Sequence, residues 1–139
     1  MTFKVVFLRR AQADVEKIYE FIASRSALGA SRWYVALSEA VASIGQNPDR
    51  CAAAPESERL HMDLRQRLFK TPRGRSYRLL FVIADDQVRV LRIRGPGQPP
   101  LKGRDVQPAE QGSAVYALRR PHQGADAPAR LKAKLLDCR

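Results

Sequence analysis

After a short opening strand the hydrophobic pattern of this chain keeps the roughly 3.6-residue repeat of helices until near residue 60, where it changes to the 2-residue repeat of strands. Val15, Ile18, Tyr19 and Ile22 recur at helical spacing, with Asp14, Glu16, Lys17 and Glu20 opposite them. This predicts an amphipathic helix over about residues 11–25. Gly29 interrupts, and Trp33, Leu37, Ala40, Val41 and Ile44 then form a second stripe that stops before Gly45, Asn47 and Pro48. The two stripes predict a helical hairpin. After a loop without periodicity over residues 47–58 come three strand-like runs, Leu64–Phe69, Ser76–Ile83 and Val88–Ile93. They are separated by the turn residues Thr71–Arg75 and Ala84–Gln87. Upstream, Phe3, Val5 and Phe7 predict a strand over residues 2–8.

The order β-α-α-β-β-β predicts an α+β fold, a helical hairpin packed on a small antiparallel sheet that the first strand joins. Trp33 and Tyr19 belong to the core between hairpin and sheet, and Tyr77, beside Leu79 and Phe81, is expected to be buried. Gly74 and Gly95 are expected to serve turns at positive φ. At 139 residues the chain supports one core. The stretch 95–139 holds six of the nine prolines and five of the eight glycines. The expected division is therefore a domain at 1–95 and a flexible basic tail at 96–139, with short helical pieces at 114–118 and 129–136. Cys51 and Cys138 fit no zinc or redox spacing and give no disulfide framework, so no metal or cofactor is expected. No apolar run is long enough for a signal segment or a membrane span, which predicts a soluble, cytoplasmic protein with no membrane partner.

The net charge of +11 is localised. Residues 1–64 carry eight basic and eight acidic side chains, residues 65–94 nine and two, and residues 95–139 eight and four. A cationic block confined to the strand region fits polyanions or an acidic protein segment.

Several pieces in this order resemble one family. They are the short first strand, the hairpin with Trp33, the Pro55-Glu56 loop, the basic strand Leu64-Arg65-Gln66-Arg67, the run Gly74 to Phe81, the Asp85-Asp86 turn, and Val90-Leu91-Arg92-Ile93-Arg94. Over residues 3–94 the chain resembles the RelE/ParE superfamily, the plasmid-stabilisation toxins of type II toxin–antitoxin systems. The resemblance implies a cognate antitoxin, acidic and partly disordered, that wraps the toxin. It also implies one of two targets: messenger RNA on the ribosome, cut by RelE-like members, or DNA gyrase, inhibited by ParE-like members without nuclease chemistry.

For the nuclease, the resemblance makes Arg78 the residue at the scissile phosphate, with Arg65 and Arg67 as the paired basic positions and Arg94 as the basic residue ending the last strand. Guanidinium groups suit charge developing on a phosphate. Glu56 or Glu58 stands where some members carry a general-base glutamate, and His61 is the one imidazole of the domain. The acid–base equipment is otherwise thin. Arginine at 65 and 67 cannot act as a base, and Gly95-Pro96-Gly97 stands where many nuclease members place a histidine or tyrosine. A gyrase-directed toxin needs no such groups. A third reading, a non-toxic nucleic-acid-binding module, would need a cationic recognition helix. The polar positions Arg32, Ser38, Glu39 and Ser43 of the second helix offer one cation among them.

Overall fold

Each helical stripe has a single apolar side to bury, and both are buried against the same face of one sheet. The computed structural model describes residues 2–106 and 114–115. In chain order the elements are β1 (Lys4–Phe7), α1 (Arg9–Ala23), α2 (Ala27–Gln46), a 3-10 turn (Pro48–Arg50), β2 (Arg65–Phe69), β3 (Tyr77–Ala84), β4 (Gln87–Arg94), a 3-10 turn (Gly103–Val106) and β5 (Ala114–Val115). The first core joins Val15 and Tyr19 of α1 and Trp33, Leu37 and Ile44 of α2 to Phe7, Leu79, Phe81, Val90 and Ile93 of the sheet. Trp33 and Tyr19 are core residues, as their helical positions predict. Tyr77 is half-buried, its ring stacked on Phe69 with centroids 5.8 Å apart and meeting Trp33 edge-on at 5.6 Å.

The helix boundaries differ from the pattern-based ones because two glycines do not break the chain. α2 begins before Gly29, at Ala27, since the Ser26 side chain caps its N-terminus by accepting from the Gly29 amide at 2.8 Å. Gly45 lies inside the last turn of α2. A Cβ there would stand 3.3 Å from Val5 Cγ2, so the missing side chain lets the helix end lie on β1, where Phe3 donates its amide to Gly45 O. α1 starts at Arg9, two residues early, because Leu8 leaves β1 extended and its carbonyl already takes the Gln12 amide. β1 is shorter than expected, four residues instead of seven.

β2, β3 and β4 form the antiparallel meander, and the sheet order is β2-β3-β4-β1-β5. β1 runs parallel to β4, with Lys4 opposite Gln87 and Phe7 opposite Val90. The two-residue turn Asp85-Asp86 has Asp85 at φ +57, a conformation aspartate tolerates. Among the described glycines only Gly97 has positive φ, +81; Gly74 and Gly95 do not, contrary to expectation. Ala114–Val115 pair antiparallel with β1 as β5, so the helix expected at 114–118 does not form at those two residues. The rest of that piece, the piece at 129–136 and the expected flexibility of residues 107–113 and 116–139 lie outside the described residues.

Between Leu80 and Phe81 the β3–β4 register shifts: Phe81 faces Val90, whereas Leu80 faces Arg92. Leu91 is the extra residue of this β-bulge, and it points away from the helices into a second cluster with Ala54, Leu64, Leu80 and Leu101. Residues 96–106, Pro/Gly-rich by composition, run back over this second face. Leu101 is fully buried in it.

Candidate functional site

Strand alternation divides the expected arginines between the two faces of the sheet. Residues opposite one another in an antiparallel pair share a face. Arg65 is opposite Phe81 and Arg67 opposite Leu79, which puts both on the helix side, as their two-residue spacing predicts for the pair. Arg78 is opposite Leu68 on one strand and Arg94 on the other, and these point the other way. A constellation of Arg78 flanked by Arg65, Arg67 and Arg94 does not form, because the sheet itself lies between the two pairs.

On the helix side, Arg65 donates through Nη1 to the carbonyls of Asp49 at 3.0 Å and Cys51 at 2.9 Å, and stands 3.7 Å from Asp63. Arg67 donates to the carbonyl of Leu68 at 2.8 Å. Arg67 also lines a groove of about 370 Å³ between α2 and β2, with Glu39, Leu68, Phe69 and Lys70.

On the far side, Arg78 is clamped. Its two terminal nitrogens donate to Glu56 Oε1 at 2.9 Å and Oε2 at 2.7 Å, and Nη1 also reaches Gln66 Oε1 at 3.1 Å. Glu56 is 2% exposed, and its Oε2 accepts further from the Leu101 amide at 3.1 Å. The Arg78 hydrogen bonds hold the Glu56 carboxyl down at about 2, against the opposing effect of burial. Glu56 in turn raises the Arg78 guanidinium. A general base needs a free lone pair and a pKa near the working pH. The Glu56 carboxyl lies far below that range and both of its oxygens are engaged, so in this structure it ties Arg78 to the 96–106 segment.

Arg94 is 8% exposed, donates through Nη2 to the carbonyl of Pro99 at 2.7 Å, and has a buried Nε without a partner among the described residues. Burial, reinforced by the nearby charge of Arg92, pushes its guanidinium down. His61 is exposed in a turn at φ +53, and Glu58 is exposed; neither joins the Arg78–Glu56 pair.

A family model of the ParE toxin of type II toxin–antitoxin systems matches residues 5–100. The chain belongs to this family. Among curated proteins no relative matches it. This ParE-family protein is therefore the toxin of a type II toxin–antitoxin system, and the family implies a cognate antitoxin. The matched span runs from β1 through the segment that covers Arg94, so the two-faced arrangement of arginines lies within it.

A second ion pair of the toxin, Arg92 with Asp14, has no signal in the sequence. Arg92 donates through Nε and Nη2 to Asp14 at 2.8 and 3.0 Å, and Asp14 also accepts from the Ile93 amide at 2.9 Å. β1 pairs with β4 only as far as Val90, so beyond that point α1 takes over the edge of β4, and Asp14 supplies the acceptor the ladder lacks. On the chain, Asp14 reads as one more polar position on a helix, and no local signal links it to a residue seventy-eight positions later. Among the described residues no group of three or more His, Cys, Asp or Glu is placed to hold a metal ion, and no helix is long and apolar enough to cross a membrane.

Proposed function

We propose that this ParE-family toxin inhibits growth by binding DNA gyrase and not by cutting messenger RNA. The supporting observation is the state of Arg78: both of its terminal nitrogens are occupied by a buried carboxylate whose pKa is near 2. A phosphate taking the same bidentate grip would have to displace that carboxylate, at the cost of an uncompensated buried charge; without displacement it meets only Nε and the remaining Nη2 hydrogen. Arg65 and Arg67 lie across the sheet, and Arg94 lies under the 96–106 segment, so neither supplements Arg78. A binding toxin needs only a rigid basic surface, and the exposed Lys70, Arg73 and Arg75 around the β2–β3 turn supply one. An acidic, partly disordered antitoxin would neutralise it.

The test is to induce the chain without its antitoxin and to map messenger RNA ends and plasmid supercoiling in parallel. Intact transcripts with lost supercoiling support the reading. Cuts in the ribosomal A site that vanish in Arg78→Ala overturn it in favour of a ribonuclease.

A further inference from the structure

Residues 96–106 lie on the far face of the sheet as a bound peptide would. Pro96 to Pro100 and Lys102 to Arg104 are exposed, and between them Leu101 is fully buried among Leu64, Leu80 and Leu91. The main chain on either side of that leucine is held by polar groups of the domain. The Leu101 amide donates to Glu56, its carbonyl accepts from Arg59, and the Pro99 carbonyl accepts from Arg94. Further along, Asp105 stands 3.6 Å from Arg92. One apolar anchor flanked by main-chain hydrogen bonds is how an extended peptide is recognised.

Beneath this strap one cation is incompletely served. Arg94 is more than nine-tenths buried, its Nε has no partner among the described residues, and its cross-strand neighbour Arg78 carries the same charge and bonds both oxygens of Glu56. Buried donors are almost always satisfied, and a group that is not calls for a cause. A surface that exchanges occupants fits this arrangement, because the strap bonds Arg94 only through a carbonyl and directs its carboxylate, Asp105, to Arg92, where a carboxylate placed on Arg94 itself would bind it more strongly.

We propose that the strap is a displaceable self-ligand, and that the face beneath it takes an extended segment of a partner protein bearing a leucine-sized side chain and a nearby carboxylate. The leucine enters the pocket now filled by Leu101, and the carboxylate meets Arg94. The apolar anchor favours a peptide over a nucleic acid, whose backbone has nothing to place there. The hinge is at hand: the strap leaves β4 through Gly95, and Gly97 already sits at φ +81. The proposal extends the binding reading of the toxin, and its test measures neither supercoiling nor transcripts, so the two can fail separately.

The experiment uses the full chain and NMR. The Leu101 amide is expected to exchange with solvent at least tenfold faster than the β3 amides of Leu79 and Leu80, reporting opening of the strap without unfolding of the sheet. The probe is the synthetic peptide acetyl-Glu-Pro-Leu-Ser-amide, whose glutamate takes the place of Pro99 beside Arg94. It is expected to shift the Arg94 side-chain Nε–H resonance, and its Leu→Ala version to bind at least tenfold more weakly. In the chain, Leu101→Ala is expected to raise affinity for the probe; should that variant fail to fold, the measurements on the unaltered chain decide. Exchange of Leu101 in step with the β3 amides, or a probe that leaves the Arg94 resonance unmoved, overturns the proposal.

Discussion

The carboxylate of Glu56 meets the guanidinium of Arg78 oxygen to nitrogen at 2.7 and 2.9 Å, and thereby ties an irregular loop to the second strand of the meander. The contact fastens the loop to the sheet, so the consequences of its loss for stability can be measured apart from those for activity.

Glu56→Gln keeps the shape of the side chain and removes its charge, which leaves Arg78, 23% exposed, without a counter-ion. Breaking a buried ion pair from one side costs about 3–5 kcal/mol, and the partial exposure of Arg78 lowers the expected loss to about 2–4 kcal/mol. Urea unfolding measures it. The double variant Glu56→Gln, Arg78→Met is expected to recover part of the loss, because neither charge is then stranded. A single variant as stable as the parent would show that the pair contributes nothing.

The same carboxyl sets a pH dependence. Its ordinary pKa of 4.5 falls to about 2 in the folded protein, so the stabilisation is complete above the unfolded value and is lost as pH drops from 4.5 through 2. Linkage puts the amount at about 3 kcal/mol. Unfolding midpoints between pH 2 and 6 should therefore decline on the acid side more steeply for the parent than for Glu56→Gln. Parallel profiles would mean that Glu56 is not the group responsible.

Asp14→Asn removes the charge opposite Arg92 and replaces one acceptor oxygen by an amide nitrogen, so that a donor faces either Arg92 Nη2 or the shared site of Arg92 Nε and the Ile93 amide. Asp14 and Arg92 are 12% and 15% exposed, so the expected loss is about 2–3 kcal/mol. The accompanying sign is faster hydrogen exchange at Ile93. If Ile93 stays as protected as in the parent, α1 does not hold the edge of β4 through this side chain.

Arg78→Lys separates structure from chemistry. Lysine keeps the charge near Glu56 but loses the bidentate geometry. A binding toxin should retain growth inhibition in this variant in proportion to its folded fraction, read by circular dichroism and colony counts together. A well-folded Arg78→Lys protein that no longer inhibits growth would argue that the guanidinium itself acts on the target.

Ser26→Ala tests the cap that lets α2 begin ahead of Gly29. The loss of the 2.8 Å bond to the Gly29 amide is expected to cost about 1 kcal/mol. No change in the unfolding midpoint would place the start of the helix under the control of packing alone.

What the sequence disclosed follows from how local each signal is. Hairpin and meander are periodic, and the apolar positions Val15, Trp33, Leu37 and Phe81 settle their buried faces without reference to anything distant. Gly29 and Gly45 misled because a glycine that breaks a helix and one that admits a neighbour look the same in one dimension. The individual arginines were legible, and so was the shared face of Arg65 and Arg67. The separation of those two from Arg78 was not, because it depends on the register of β2 against β3. Glu56 was singled out for its place in a loop, yet its partner and its protonation state come from contacts with Arg78 and Leu101, twenty-two and forty-five positions away.

The bulge at Leu91 also bears on how this strand can change over evolutionary time. In a regular strand, losing one residue turns every later side chain to the opposite face. Here Leu91 is the supernumerary position, so its deletion would leave Arg92, Ile93 and Arg94 facing as they do now, on an uninterrupted ladder with β3. Relatives one residue shorter at this point can keep the same cations over the same face, whereas an equal deletion earlier in β4 would turn Arg94 towards the helices.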